Sequence, residues 1–551
     1  MENVPEIIHN QYGRFWRHVF NSFEALIFLP DSSLSGEILN YGFNAPYLLV
    51  FAEKQFTYEE AALFAREKGL DKIAASFDSS VVFINPVTES GDFCGWEYAK
   101  PDILSEIISN SRIHQCYKDG YVIANNFFTR SCEGYFIRGA IFRIFLYGLG
   151  EGADYIARNC LHHFEGAGLW GPSDLAPATC VLSGLSVLPD VRQDDIPVIS
   201  YGNSKQINEI FSKNCKFFLS RQTEDLVNDY YGFARKFRRM TGPLQIDSDL
   251  EKDGLVIEPG IAEVKTSSDN CGDDKDKATH KIGYFAFYNK DLKGPLPLVL
   301  GFHGGGDSCF FFSTMAGWAK IAHKYNFLLV TVENHLNSTA SEMVEFVEIL
   351  KKKFDIDTSR IYATGFSMGG CKTWDIIQEH PSLLAAAAPM DATFDVGCNV
   401  YGKKIQTELN ESVMVPVFYA GGEVSPLHEL PFQAQKCLDR VSYVLHLNKA
   451  NSAELYSKTV KLEDKDKWQN KIWGLDGDLV RKEYDPVRDA TLKMQLFRSK
   501  TDGRSLSVFA SISGQGHDCR EHTCEHAWRF MSRFSRDADG NIKGGYGETD
   551  F

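Results

Sequence analysis

The chain has 551 residues, 44% of them hydrophobic and 24% charged, which is typical of a globular protein large enough for two domains. Its net charge of −15 argues against nucleic acid or an anionic membrane as a partner, because both select basic surfaces. The chain starts without a signal-peptide pattern, has no apolar run near the ~20 residues that cross a bilayer, and scatters its 13 cysteines, so we expect a reduced, cytoplasmic protein.

The first half of the chain alternates strand-like and helical patterns. Apolar runs at 46–51, 81–85, 141–147 and 196–202 predict buried strands, and residues 57–69 predict a helix. The sequence GLGEG at 148–152 follows the third run and leads into another helix. Strands that alternate with helices imply a parallel sheet. A phosphate-binding loop is the alternative for 148–152, but three glycines without the full fingerprint are a weak signal.

The segment that joins the two halves has a mixed character. Residues 223–239 predict an amphipathic helix, whose basic cluster at 235–239 we expect on a solvated face or a domain surface. Strands at 261–264 and 281–287 then enclose a polar, turn-rich loop at 266–281. We therefore predict a linker and entry hairpin over 216–280, between a first domain at 1–215 and a second at 281–551.

The second domain opens with a glycine-rich loop. The apolar run 296–302 predicts a buried strand and leads directly into HGGGD at 303–307. Glycines let backbone N–H groups approach a developing oxyanion closely. We expect one donor from Gly304 to Gly306, with Gly304 and Gly305 as the first candidates, and we expect His303 to contact the substrate. A plain flexible loop is the alternative interpretation.

The sequence GFSMG at 365–369 is the most informative motif of the chain. It lies between a strand-like run at 360–364 and a helical pattern at 370–377. This context is typical of a nucleophile elbow, in which a sharp turn exposes a serine above the carboxyl edge of a parallel sheet. The motif predicts Ser367 as the nucleophile and the N–H of Met368 as the second oxyanion donor.

The acid and the base of a triad are expected to follow the serine in that order. Residues 414–420 predict a buried strand, and Glu423 comes just after it, which makes it the first candidate for the acid. Glu429, Asp391 and Asp476 are the alternatives. Residues 505–512 alternate like a strand and end in a glycine-flanked loop with His517, the predicted general base.

Two further patterns surround these residues. The extra material at about 440–505 suggests a lid, with Trp473 in contact with the substrate and a hairpin turn at Asp502-Gly503; a structural hairpin is the alternative.

The sequence HTCEH at 522–526 matches H-x-x-E-H, a zinc-protease pattern. We discount zinc because only 25 residues remain for a third ligand, and the segment continues as an amphipathic helix. No metal and no cofactor are therefore expected.

The two halves repeat one arrangement of strands and helices. The runs at 46–51 and 141–147 correspond to those at 296–302 and 360–364, and 196–202 corresponds to 415–421. Gly150 stands where the second half has Ser367, and glycine has no side chain that could attack a substrate. We therefore predict two α/β domains, each with a mostly parallel sheet flanked by helices, of which the first is degenerate and catalytically silent. Coincidence between two ordinary α/β regions is the alternative.

The second half resembles the α/β-hydrolase superfamily, and within it the polyhydroxybutyrate-depolymerase-like and feruloyl-type esterases. The resemblance rests on HGGGD at 303–307, GFSMGG at 365–370, QGH at 515–517 and AWRF at 527–530, and covers roughly residues 280–535. It implies Ser367 as the nucleophile, His517 as the base and backbone oxyanion donors. Glu423 departs from the aspartate that is usual in such enzymes.

These expectations define a serine carboxylic-ester hydrolase that acts through an acyl-enzyme. A hydroxycinnamoyl ester is the first candidate substrate, and a hydroxyalkanoate oligomer or a peptide bond is the alternative. A binding protein without catalysis is the alternative of another class. The expected partners are a small or oligomeric ester and, in a homodimer, a second copy of the chain.

Overall fold

The computed structural model divides into two compact units, Met1–Asp249 and Leu250–Phe551. The boundary lies within the segment 216–280 that was predicted as a linker and entry hairpin, and this segment contributes secondary structure to both units. The structure describes residues 6–31, 46–77, 79–110, 140–163, 176–239, 244–246, 250, 253–266, 277–305, 309–333, 335–405, 407–456 and 461–547. Most of the predicted polar loop at 266–281 lies outside these residues.

The first unit is built on a nine-stranded sheet with the order β1-β2-β3-β5-β4-β6-β7-β8-β9. Strands β5, β4, β6, β7, β8 and β9 run parallel, and β1 to β3 add an antiparallel edge. The strands are β1 (Ile8–Asn10), β2 (Gly13–Val19), β3 (Phe23–Pro30), β4 (Pro46–Phe51), β5 (Val81–Pro86), β6 (Ala140–Leu149), β7 (Thr179–Ser183), β8 (Val198–Tyr201) and β9 (Phe218–Arg221).

The helices of the first unit begin and end where local sequence signals place them. Thr57 caps the first helix in a capping box with Glu60, and Gly69 ends it with a φ of 73°. This confirms the helix predicted at 57–69. The α-helices of the unit are α1 (Tyr58–Lys68), α2 (Leu70–Phe77), α3 (Ile103–Asn110), α4 (Gly150–Asn159), α5 (Lys205–Asn214) and α6 (Leu226–Gly232).

The helix predicted at 223–239 is wrong beyond residue 232. The chain continues there as a 3-10 turn and a short hairpin of β10 (Phe237–Arg238) and β11 (Gln245–Ile246). Arg239 is fully buried, and its guanidinium donates to both carboxylate oxygens of Asp195. This bidentate pair compensates the burial of the charge, so this end of the basic cluster belongs to the interior of the unit.

The second unit contains a ten-stranded sheet with the order β12-β13-β15-β14-β16-β17-β18-β21-β20-β19. Its central strands from β15 to β21 in that order run parallel, and both edges are antiparallel. The strands are β12 (Leu255–Lys265), β13 (Thr279–Asn289), β14 (Leu296–Phe302), β15 (Leu328–Val332), β16 (Ile356–Phe366), β17 (Ala386–Met390), β18 (Val417–Gly422), β19 (Leu479–Asp485), β20 (Ala490–Arg498) and β21 (Ser505–Ile512); a small hairpin of β22 (Phe534–Arg536) and β23 (Ile542–Gly544) follows.

Helices cover this sheet and complete the hydrophobic core. Side chains of β14 such as Leu298 and Leu300 pack in one cluster with Phe346 and Leu350 of the helix that follows β15. The α-helices of the unit are α7 (Cys309–Met315), α8 (Trp318–Tyr325), α9 (Ala340–Lys353), α10 (Met368–Glu379), α11 (Gln435–Leu447) and α12 (Glu521–Met531). Within the described residues, no helix combines the length and the apolar character that crossing a bilayer requires.

The two sheets share one central topology, and the predicted fold class is confirmed. In each unit an antiparallel edge is followed by strands whose order reverses once, as β5-β4-β6 in the first and β15-β14-β16 in the second. Register agrees as well, because Phe51 lies opposite Gly148 and Phe302 lies opposite Gly365. Such a reversal places a crevice at the carboxyl ends of the central strands.

The segment at 440–505 differs from the predicted lid. It contains the end of α11 and the hairpin of β19 and β20, which extends the sheet by two antiparallel strands. The predicted hairpin turn at Asp502-Gly503 is present between β20 and β21, where Gly503 has a φ of 74°. The insertion therefore widens the sheet.

Candidate active site

The turn between β16 and α10 has the strained geometry that a nucleophile elbow requires. Ser367 has a φ of 54° and a ψ of −122°, a conformation that side-chain-bearing residues rarely adopt. A Cβ at Gly365 would lie 2.2 Å from the carbonyl oxygen of Gly369, and one at Gly369 would lie 2.1 Å from that of Phe302. These glycines therefore allow the chain to reverse tightly against β14 and present Ser367 at the sheet edge.

The glycine loop after β14 lies directly against this turn. A Cβ at Gly305 would be 2.6 Å from Sδ of Met368, so the loop backbone and the residue after the nucleophile are neighbours. This is the arrangement that two backbone donors for an oxyanion need. Gly306 and Asp307 lie outside the described residues, so Gly304, Gly305 and Met368 stay the predicted donors.

His303 is built into the base of the loop. It is buried, and its ring nitrogens lie 2.7 Å from the carbonyl oxygen of Gly304 and 2.9 Å from that of Glu333. The ring of His335 packs edge-on against it at 4.4 Å. Because both nitrogens face protein carbonyls, His303 holds the shape of the loop, and its contact with the substrate stays a prediction.

His517 follows β21, which has the predicted bounds, and lies beside the nucleophile turn. Its ring packs against that of Phe366, with 4.7 Å between the ring centroids, and Phe366 precedes Ser367 in the chain. Burial lowers the pKa of His517 to about 4, and the charge of Asp518 opposes that shift. The imidazole is therefore neutral at pH 7, which is the state that a general base needs.

Glu423 follows β18 at the predicted position. Its carboxylate accepts hydrogen bonds from Nζ of Lys493 and Oγ of Ser511, both at 2.9 Å. Lys493 and Ser511 face each other across β20 and β21, so these bonds direct Glu423 toward the antiparallel edge of the sheet. Its role as the triad acid stays a prediction.

The three alternative acids have different surroundings. Asp391 is 1% exposed at the end of β17, beside both the nucleophile turn and the loop of His517. Glu429 is also buried, and burial raises its pKa to about 7. Asp476 is exposed and accepts hydrogen bonds from the amides of Gln469 and Asn470. Among the three alternative acids, Asp391 combines burial with a position beside the nucleophile turn and the loop of His517.

Trp473 belongs to the core of the second unit. It is 1% exposed and stacks on Phe509 of β21 with 5.5 Å between ring centroids. It also meets the ring of Tyr419 edge-on at 6.2 Å. A side chain enclosed in this way packs the fold, so Trp473 does not line a cleft as the lid hypothesis required.

The histidine-rich segment after His517 forms α12. The rings of His522 and His526 meet edge-on within that helix, with 4.8 Å between their centroids. Burial lowers the pKa of His526 to about 4. No group of three metal-binding side chains occurs in the part of the chain that the structure describes.

The first unit repeats the turn without the chemistry. Gly150 has a φ of 46° at the position of Ser367, and a Cβ there would lie 1.6 Å from a carboxyl oxygen of Glu53. Asn203 follows β8 where the second unit has its acidic residues, and its amide donates to the carbonyl of Leu182. No histidine follows β9 in the way that His517 follows β21, because the sequence from 222 to 239 contains none. Glu53 thus occupies the space into which a nucleophile would project.

Sequence reasoning missed two neighbours of the site. It gave no role to Phe366, although an aromatic residue before the serine is visible in the motif. It also did not predict β17, whose apolar run at 385–390 ends just before Asp391. That run is a short alanine-rich segment, which strand propensity alone does not favour.

Part of the chain is similar in sequence to a curated protein. No family model matches the chain. A bifunctional acetylxylan esterase/xylanase of Neocallimastix patriciarum is 28% identical over 136 residues, which cover 23% of this chain and 19% of that protein. The chain therefore spans about a fifth of the length of this curated relative.

Solved structures show more distant similarity. An acetyl xylan esterase from Aspergillus awamori is 12% identical with a TM-score of 0.31 and covers 50% of this chain and 99% of that one. The S-formylglutathione hydrolase of Staphylococcus aureus is 14% identical with a TM-score of 0.25, covering 35% and 88% of the two chains. A thermostable esterase is 20% identical with a TM-score of 0.24, covering 38% and 55%. These values are too low to bear on function.

Proposed function

We propose that the second unit hydrolyses carboxylic esters through a covalent acyl-enzyme. The observation that carries the proposal is the strained turn at Ser367, held against the Gly305 loop and beside His517. Strain of this kind persists where the surrounding structure enforces it, and it concentrates at active sites. The curated relative, whose name includes an acetylxylan esterase, supports the same reaction class.

The reaction follows from the positions of these groups. The neutral imidazole of His517 takes the proton of Ser367 as Oγ attacks the ester carbonyl. Backbone N–H groups of Met368 and the glycine loop stabilise the oxyanion. The tetrahedral intermediate then collapses, and the alcohol leaves with the proton from His517. Water, activated by the same histidine, attacks the acyl-enzyme and releases the carboxylic acid and free Ser367.

Acyl groups esterified to sugars are the proposed substrates. The relative's name favours an acetyl ester of xylan, and the resemblance to feruloyl-type esterases favours a hydroxycinnamoyl ester. We propose the acetyl ester first, because it rests on a measured sequence similarity. The hydroxycinnamoyl ester, the first candidate from the sequence alone, is the second.

The first unit has no part in the chemistry on this proposal. Gly150 supplies no nucleophile, and Glu53 fills the space beside it. All esterase activity of the full chain therefore depends on Ser367. A cytoplasmic location and a homodimer remain part of the proposal, to be checked by cell fractionation and by light scattering.

The experiment compares the wild type with Ser367→Ala on p-nitrophenyl acetate, acetylated xylan and methyl ferulate, with and without EDTA. We expect activity that the mutation abolishes and EDTA leaves unchanged, with acetyl release faster than ferulate release. Activity that survives Ser367→Ala would reject the proposal. Faster release of ferulate would reverse the order of the two substrates.

A further inference from the structure

Asp391 joins two loops of the candidate active site. It follows β17, is 1% exposed, and has a φ of 43°. One carboxylate oxygen accepts the N–H of Gly422 at 2.9 Å, and the other accepts the N–H of Asp518 at 3.3 Å. Gly422 ends β18, and Asp518 is the residue after His517. A single buried side chain thus fastens the histidine loop to the end of a neighbouring strand.

The residue before it connects the same point to the nucleophile. The carbonyl of Met390 accepts the N–H of Ser367 at 3.0 Å, and the N–H of Asp391 donates to the carbonyl of Ala420 at 2.7 Å. The backbone at 390–391 therefore touches the nucleophile turn, while the Asp391 carboxylate holds the loop of the base. Asp391 therefore lies between the nucleophile turn and the loop that carries His517.

We propose that Asp391 is a positioning residue that fixes His517 relative to Ser367 through the backbone of Asp518. The proposal rests on the esterase function proposed above. It assigns to Asp391 a role separate from that of Glu423, whose carboxylate is engaged by Lys493 and Ser511.

An aspartate suits position 391 for two reasons, its hydrogen-bond acceptors and its backbone conformation. Two N–H donors from different loops converge there, and a carboxylate offers two acceptor oxygens on a short side chain. Aspartate also tolerates a left-handed backbone better than most residues. Burial raises the pKa of Asp391 well above its usual range, and Glu429 adds to that shift while the Gly422 N–H opposes it. Burying a polar group costs free energy unless it is hydrogen-bonded, and the N–H groups of Gly422 and Asp518 offset that cost here.

Further hydrogen bonds and an ion pair connect residues within the loop around His517. Gln515 donates its side-chain amide to the carbonyl of Asp518 at 2.9 Å, and its own carbonyl accepts the N–H of Val424 at 3.0 Å. Arg520 pairs with the carboxylate of Asp518 at 2.9 Å. These contacts connect the residues of the loop around His517 to one another, and the Asp391 carboxyl group connects that loop to the end of β18.

The test uses Asp391→Asn and Asp391→Ala in the full chain. Asparagine keeps the shape and the tolerance of positive φ but loses one acceptor, whereas alanine loses both. Asp375→Asn is the matched control, because Asp375 is also a buried carboxyl, paired with Lys372 at 3.2 Å on α10, and makes no hydrogen bond to the histidine loop within the part of the chain that the structure describes. Kinetics on p-nitrophenyl acetate and the thermal midpoint are measured for all variants.

We expect kcat to fall about ten-fold in Asp391→Asn and about a hundred-fold in Asp391→Ala with KM nearly unchanged, as small displacements of catalytic groups produce. Asp375→Asn is expected to lower the thermal midpoint and retain kcat. A kcat in Asp391→Asn within two-fold of the wild type would overturn the proposal, as would a loss that Asp375→Asn reproduces.

A second measurement separates this proposal from the proposed function. Hydrogen exchange of residues 513–520 reports on the anchoring of the loop without any substrate, and we expect faster exchange in both Asp391 variants and not in Asp375→Asn. Unchanged exchange would overturn the positioning role even if the esterase is real. Faster exchange in the Asp391 variants, together with esterase activity that survives Ser367→Ala, would support the positioning role of Asp391 and reject the proposed function of Ser367.

Discussion

The burial of His517 against Phe366 has a direct consequence for the pH dependence of activity. With the pKa lowered to about 4, about 97% of the imidazole is neutral at pH 5.5, whereas a histidine with the ordinary pKa of about 6.5 would be only about 9% neutral. The proposed esterase is therefore expected to keep roughly ten times more activity at pH 5.5 than an exposed base would allow. Because the folded pKa is lowered, activity is complete above it and is lost as the pH falls through about 4.

The change that tests this reasoning is Phe366→Ala, which admits water to one face of the imidazole. Desolvation is the largest cause of the lowered pKa, so we expect the acid limb of kcat/KM to move upward toward pH 6.5. The matched control is Phe509→Leu, because Phe509 is buried in the same sheet and stacks on Trp473 instead. That variant is expected to lose stability and keep the acid limb of the wild type.

The assay is hydrolysis of p-nitrophenyl butyrate from pH 3.5 to 8, with the product read after an alkaline quench. Circular dichroism at each pH identifies loss of structure, which would otherwise mimic the loss of a neutral base. An acid limb near pH 6.5 in the wild type, or an unchanged limb in Phe366→Ala, would refute the assignment of His517 as a buried base.

Other parts of the account lead to further expectations. Gly369→Ala should abolish activity, because its Cβ would lie 2.1 Å from a backbone carbonyl oxygen; full activity in a folded variant would contradict the elbow. Trp473→Ala should reduce the free energy of unfolding by about 3–5 kcal/mol, measured in urea, with KM unchanged; a selective rise in KM would restore the lid hypothesis. If Glu423 is the triad acid, Glu423→Gln should reduce kcat far more than Lys493→Met, which only removes its ion pair; equal small effects would exclude it. Gly150→Ser should add no activity to a Ser367→Ala background, as ester assays would show.

Local signals in the sequence were sufficient for much of the fold. The helix at 57–69 was predictable because Thr57, Glu60 and Gly69 define its ends through short-range hydrogen bonds and one left-handed residue. Buried parallel strands such as β4 and β14 were visible as apolar runs, since both faces of each strand are covered. The nucleophile turn was predictable because each close approach in it demands glycine.

Features that depend on distant packing were not predictable in the same way. Trp473 was expected in a lid, because no local pattern reveals that its ring stacks on Phe509. Arg239 was expected on a solvated face or a domain surface, because its partner Asp195 is 44 residues away in the sequence. The importance of Asp391 depends on two N–H groups from other strands and loops, which become neighbours only when the sheet forms.

The central claim is that Ser367 is a nucleophile activated by the fold, and covalent labelling tests it most directly. The full chain is treated with a fluorophosphonate, its mass is measured intact, and the modified peptide is mapped. We predict a single adduct on Ser367 that is absent in Ser367→Ala and that forms more slowly as the pH falls toward 4. An unlabelled wild type, or an adduct on any other residue, would contradict the account.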